Sequence, residues 1–477
     1  MILTTFEVFD IILLVIFTIL VSWFLWKNRN KLGKEGILFL YRTEWGMKLI
    51  DNIGKKYKKL LDVLRYVIII TGYILMVGII YLIIKTLKEY FWNQAFIEVI
   101  GNSPPIALVI PYFPRIFGYE NFFPPFYFIY FILAIAIVAA VHEFAHGVYM
   151  RRYNIKIKST GIAFLGPILG AFVEQDEKDM KKAKKIDQMT ILGAGVFANI
   201  AIGILFFIIL TLFFSLSFTQ LGVVFNDYSY KVTSISSITS IGNVSVDNPN
   251  LEQVVEIVGN NSLINIKIGD ESYSGIKGFS KDGQSIGLYY DAPAINTRLS
   301  GVITSINDVK IDSIETLSQE LLKYSPGEKV VLGIFDYKDV HNQDIVLGED
   351  PGNKDKAFIG IATISQNKYV RYYNHFFLAI HKNNLYIFDN VYYSPKIQGV
   401  SEFIYYLFWW IVLLNLLVGI FNMLPAGIFD GGRFFYLTIV GITKSEKVAK
   451  RTFSIITYLL LLVLFLIIAV WIFRLLI

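Results

Sequence analysis

Cysteine is absent from the chain, so any domain outside a membrane must hold together by its core alone, and thiol usage says nothing about redox compartment. Charge is scarce as well: Asp, Glu, Lys and Arg make up 17% of residues, against 55% hydrophobic and 16% aromatic. A composition this apolar excludes a purely soluble protein and points to a membrane protein. The net charge of +6 is no nucleic-acid signature, because the basic residues cluster beside apolar runs, where loop charge sets orientation. No Lys or Arg precedes the first apolar run, about 9–26, whereas Glu7 and Asp10 stand at its start. That pattern argues against a cleaved signal peptide and for a retained helix.

Runs long enough to cross a bilayer lie at about 9–26, 67–84, 125–149, 191–216, 403–424 and 453–475, which predicts a polytopic α-helical membrane protein with six transmembrane helices. Basic residues crowd the loop between the first two, from Lys27 to Arg65. They recur after the third (Arg151, Arg152, Lys156, Lys158, Lys181 to Lys185) and after the fifth (Arg433, Lys444, Lys447, Lys450, Arg451). The positive-inside rule makes these three loops cytoplasmic in a cell membrane and places both termini and residues 217–402 outside the cytoplasm. The expected division is a membrane domain of 1–216 and 403–477, interrupted by a soluble α+β insertion.

Within that insertion, Ile238-Thr-Ser-Ile241 is followed by Val246, Asp247 and the segment Leu251 to Ile257; Ile303-Thr-Ser-Ile306 is followed by Ile311, Asp312 and Ile314 to Leu322. Each copy reads strand, tight turn, strand, amphipathic helix, strand. With Ala292-Pro293-Ala294 ahead of the second copy, this order resembles the peptide-binding PDZ domains of membrane proteases. The resemblance implies two tandem units, 217–290 and 291–365, that take peptide termini or substrate ectodomains. Residues 366–402 read as an aromatic interfacial connector containing Tyr372, Tyr373, Phe376, Phe377, Tyr386, Phe388, Tyr392 and Tyr393.

Chemistry concentrates in Val141-His142-Glu143-Phe144-Ala145-His146, at the end of a charge-free run. Residues four apart on a helix share one face, about 6 Å apart along the axis, a spacing at which two imidazoles grip one metal ion. The bland alternative is a chance pattern on an ordinary helix; ionisable groups at membrane depth weigh against it. A catalytic zinc takes a third protein ligand. Asp430, in Asn422-Met-Leu-Pro425-Ala-Gly427-Ile-Phe-Asp430-Gly431-Gly432, lies at the same expected depth, where Pro425 breaks the fifth span and the glycines let the backbone turn in. An isolated Asp-Gly-Gly would be a solvated turn. Gly161 to Val173 is apolar but too short and too rich in glycine and proline to span; it is expected to dip back into the protein, the alternative being an interfacial loop.

These residues together resemble the paired signatures of the site-2 protease family, intramembrane zinc metalloproteases. The resemblance implies Zn2+ held by His142, His146 and Asp430, Glu143 as general acid/base, and Asn422 as a substrate-holding residue. It covers about 125–216 and 403–440. Gly193 to Asn199 matches the family's small-residue pattern ending in Asn, with Val196 where proline often stands, which makes Asn199 a possible substrate contact; otherwise it is glue between helices. Gly170-Ala-Phe172-Val-Glu174 resembles the family's membrane-associated hairpin, making Gly170 and Phe172 further possible contacts. The expected activity is cleavage of transmembrane segments of membrane proteins by a zinc-activated water with Glu143 shuttling the proton. Competing readings are a metal or proton transporter using the same His and Asp groups, and a non-catalytic peptide-binding scaffold.

Overall fold

Thr4 and Glu7 exchange hydrogen bonds in a capping box that starts the first helix, α1 (Thr5–Lys27). The computed structural model describes residues 4–120, 122–225, 227–259, 263–280, 282–363, 387–388, 390–427 and 429–476. It comprises two units, one of Met1–Leu216 with Gln398–Ile477, the other of Ser217–Ile397.

The first unit continues with α2 (Met47–Lys56), α3 (Lys58–Trp92), α4 (Phe128–Arg152), α5 (Lys185–Ser217), α6 (Val400–Phe421), α7 (Asp430–Thr443) and α8 (Glu446–Leu476). All but α2 and α7 are long and apolar enough to cross a membrane, six among the described residues. They are the six expected spans, although α3 starts at Lys58 rather than near 67. The protein is an integral membrane protein. Its core joins α2, α3, α4, α5 and α7 through Ile50, Ile68, Val148, Ile191, Val196 and Phe434, all buried.

The basic segment between the first two spans is not a plain loop. β1 (Leu32–Glu35) and β2 (Leu38–Thr43) form a hairpin that continues through β3 (Ile157–Leu165) to β4 (Ile168–Gln175), an antiparallel sheet in the order β1-β2-β3-β4. The stretch 161–173, expected to dip into the bundle or lie as a loop, is therefore a β-hairpin turning at Gly166 (φ +59°) and Pro167. Its glycine content has a local reason: a Cβ on Gly161 would stand 2.2 Å from the Tyr41 carbonyl oxygen and 2.8 Å from the Phe172 ring. Arg42 on β2 binds Glu35 and Glu174, at 3.0 and 2.8 Å, and this hydrogen bond, with one from Ser159, holds the Glu174 carboxyl below its ordinary range. α2 lies on α4, where Ile50 fills the space over Gly147, and Asp51 and Asp62 pair with Arg151 and Arg152.

Asp10 has a role that its place in the sequence conceals. Although it lies inside an apolar helix, it is 3% exposed and accepts hydrogen bonds from the amides of Phe128 (2.7 Å) and Ile129 (3.0 Å) and from the Tyr112 hydroxyl. Tyr127 provides no side-chain cap for α4, so a carboxylate from α1 takes the orphan amides and meets the positive end of the helix dipole. Asp10→Ala should lower stability by about 1–3 kcal/mol, the cost of leaving buried donors unsatisfied, read as a lower melting temperature in detergent.

The second unit contains two larger sheets. One runs 230–234, 285–290, 271–279, 266–268, 240–241, 244–245; the other runs 340–346, 329–335, 302–306, 218–224, 391–395, 387–388, with 309–310 folded onto 302–306. Both copies of the repeat hold strand, turn, strand, helix and strand in that order, with helices at Leu251–Val258 and Ile314–Leu321 that each open on a capping box. The repeated isoleucines are buried in both: Ile238 and Ile241 in one core, Ile303 and Ile306 in the other. A boundary at 290/291 does not separate the strands, since Phe218–Val224 pairs with Val302–Ile306. The segment read as a connector likewise contributes Val391–Pro395 to that sheet. Tyr372, Tyr373, Phe376, Phe377 and Tyr386, with His375 and His381, lie outside the described residues.

Candidate active site

The one-turn spacing of His142 and His146 on α4 sets their rings edge to face, with centroids 4.6 Å apart and planes at 81°. The chain reaches the same point again at Asp430, the first residue of α7. His142 Nε2 and His146 Nε2 are 3.0 Å apart, and Asp430 Oδ2 stands 3.1 Å from the first and 3.3 Å from the second. Both imidazoles are 7% exposed. Two buried ring nitrogens thus share one carboxylate oxygen. Tetrahedral ligands at about 2.0–2.1 Å from zinc lie about 3.3 Å apart, so the three atoms fit one small divalent ion. Among the described residues this is the one cluster of histidine and acid groups with metal-ligand spacing.

Close backbone approach makes the meeting possible. A Cβ on Gly431 would be 2.3 Å from the Met423 carbonyl carbon, and one on Gly432 would be 2.1 Å from the Ala426 carbonyl oxygen. The segment after α6 thus folds directly over the first turn of α7, and the Gly431 amide donates to the Asn422 carbonyl at 2.7 Å. Sequence reading placed Asp430 on a loop at the end of the fifth span; it belongs to a separate 14-residue helix whose apolar run, Phe434 to Ile442, was the available signal.

α5 supplies the floor. A Cβ on Gly195 would lie 2.5 Å from His146 Nε2 and 2.8 Å from His142 Nε2, so glycine leaves room for both rings. The Ile191 carbonyl is 2.6 Å from His146 Nδ1, and the Asn199 amide nitrogen is 3.1 Å from His142 Nδ1. Asn199, considered a substrate contact, is buried beside His142. The sequence marks Gly195 only as one of several small residues suited to close helix packing, and gives Ile191 no role.

Glu143 is half-buried and accepts from the Val173 amide at 3.0 Å. Val173 sits on β4, an edge strand of the four-stranded sheet, so the hairpin is pinned to the helix that carries the histidines. Phe172 packs over Gly161 across the hairpin, whereas Gly170 has open space beside it, its nearest neighbour being the Ala163 methyl at 4.0 Å. Asn422 follows the last residue of α6 and is half-buried.

Residues 130–467 match the model of peptidase family M50, a span that includes both halves of this site. The chain belongs to peptidase family M50, the site-2 protease family. The two histidines and the aspartate of this site could hold a metal. An uncharacterized protein of Methanocaldococcus jannaschii is 32% identical over 173 residues, covering 35% of this chain and 41% of that protein. The chain therefore matches less than half the length of this relative.

Proposed function

We propose that the protein is an intramembrane zinc endopeptidase that cleaves transmembrane segments of membrane proteins. The observation that carries this is the convergence of His142, His146 and Asp430 within hydrogen-bonding distance of one another, from segments 284 residues apart at their nearest, beside Glu143. His142, His146 and Asp430 would hold zinc, which supplies an activated water and polarises a carbonyl.

The chain's own groups do the rest. Glu143 takes the water's proton on its carboxylate and passes it to the departing amide nitrogen. The Val173 amide orients that carboxylate. A transmembrane helix must unwind to be cut, and its freed backbone groups then need partners where water is scarce. β4 offers an edge for strand addition, with Gly170 as the open position and Phe172 on the adjoining hairpin face, and the Asn422 side chain would hold a substrate carbonyl or amide. The basic ends of α2 and α4 support a site on the cytoplasmic side, with both termini and the insertion on the other. There the two PDZ-like units would receive peptide termini or substrate ectodomains.

In proteoliposomes carrying a single-span substrate, removing metal with a chelator should abolish cleavage, and zinc should restore it. A transporter would instead carry zinc into the vesicles without producing a fragment.

A further inference from the structure

The two histidines rest on one stripe of α5: the Ile191 carbonyl, the bare Gly195 backbone and the Asn199 amide, each four residues after the last. A carbonyl can only accept, so the contact from His146 Nδ1 to Ile191 O at 2.6 Å puts a proton on Nδ1 and leaves the lone pair on Nε2, facing Asp430. His142 points its own Nε2 at the same carboxylate oxygen, 3.1 Å away, and must hold the same tautomer to ligate a metal there. Its Nδ1 then carries a proton that needs an acceptor. Asn199 is the group beside it, 0% exposed, and the Asn199 oxygen Oδ1 is buried without a hydrogen-bond partner among the described residues. A half-turn of the amide exchanges its two ends and gives both atoms what they lack: Nδ1–H donates to Oδ1.

We infer that Asn199 is a positioning residue whose side-chain oxygen fixes the Nδ1–H tautomer and ring orientation of His142, completing with Ile191 an outer shell for the metal on a single helix. Outer-shell acceptors of this kind set ligand direction and basicity without touching the ion. Asn199 then serves the metal site rather than substrate, and Gly195, one turn before it, gains a matching reason: it brings the α5 backbone against the two imidazoles. The inference rests on His142, His146 and Asp430 being metal ligands.

The test is zinc affinity, by competition with a chromophoric chelator, together with the visible spectrum of the cobalt-loaded full chain in detergent, for wild type, Asn199→Leu and Asn199→Asp. Leu removes the acceptor while keeping the branching of the side chain, and should weaken zinc about 10–100-fold and alter the cobalt bands. Asp can accept but cannot donate; it should bind zinc at least as tightly as wild type and keep the cobalt bands. Wild-type affinity in Asn199→Leu, or an Asp variant that has lost affinity, would overturn the inference. Should the Leu variant not fold, Asp alone decides, because an amide donating to a bare Nδ1 would be lost in it. Failure of wild type itself to bind zinc would overturn the metal site and this inference with it; zinc bound equally by wild type and Asn199→Leu would overturn the inference alone.

Discussion

Glu143→Gln should lower cleavage of a transmembrane substrate by about 10²–10⁴-fold, the usual contribution of a positioned general acid/base, while leaving zinc content unchanged. Gln has the same length and can keep a carbonyl oxygen on the Val173 amide, so the hairpin stays pinned to α4. What it cannot do is take a proton. Because Glu143 is not among the three groups that converge, its neutralisation leaves the ligand set whole. A fall in cleavage accompanied by loss of metal would show that Glu143 supports the site rather than the chemistry.

Gly195→Ala should weaken the metal site directly. Its Cβ would stand 2.5 Å from His146 Nε2 and 2.8 Å from both Cε1 and Nε2 of His142, below any ordinary contact, so one methyl displaces both rings. α5 has little freedom to retreat, since Gly193 lies on Ile68 and Val196 is fully buried in the same core. Overpacking costs about 1–3 kcal/mol; at the upper end, zinc affinity falls about 100-fold, and cleavage at limiting zinc falls with it. Metal titration of this variant checks the point, and wild-type affinity would mean that α5 does not form the floor of the site.

The three residues that converge were legible in the sequence because each half of the site carries a local signal: the four-residue spacing of His142 and His146, and an acid at Asp430 next to a proline and glycines. The floor was not legible. Gly195 reads as one small residue among several, and Ile191 contributes a backbone carbonyl, which any residue type would supply. Family resemblance marked Gly170 to Glu174 as part of a hairpin, but the partner strand β3 and the turn were obscured, because Gly161, Gly166 and Pro167, which make the close cross-strand contact and the turn, suggest irregular chain. β1 and β2 hid behind charge: Arg42 counts as a loop cation in a positive-inside tally, yet it is bound to Glu35 and Glu174 within the sheet. Asp10 was misread in a similar way. It appeared to mark the polar start of a span, whereas it caps a helix more than 100 residues away, and that pairing has no trace in local pattern. The repeat in the insertion was visible because buried isoleucines recur at matching positions, but strand exchange across its midpoint was not, since Phe218–Val224 and Val391–Pro395 pair over long separations.

The central claim is that this chain holds a zinc ion between α4 and α7 and uses Glu143 beside it to hydrolyse peptide bonds within the membrane. The most direct measurement is zinc per chain and substrate cleavage on the same preparations of wild type and Glu143→Gln. The account predicts equal zinc, near one ion per chain in both, with cleavage confined to wild type. Wild type free of zinc after purification in its presence, or Glu143→Gln cutting at the wild-type rate, would contradict it.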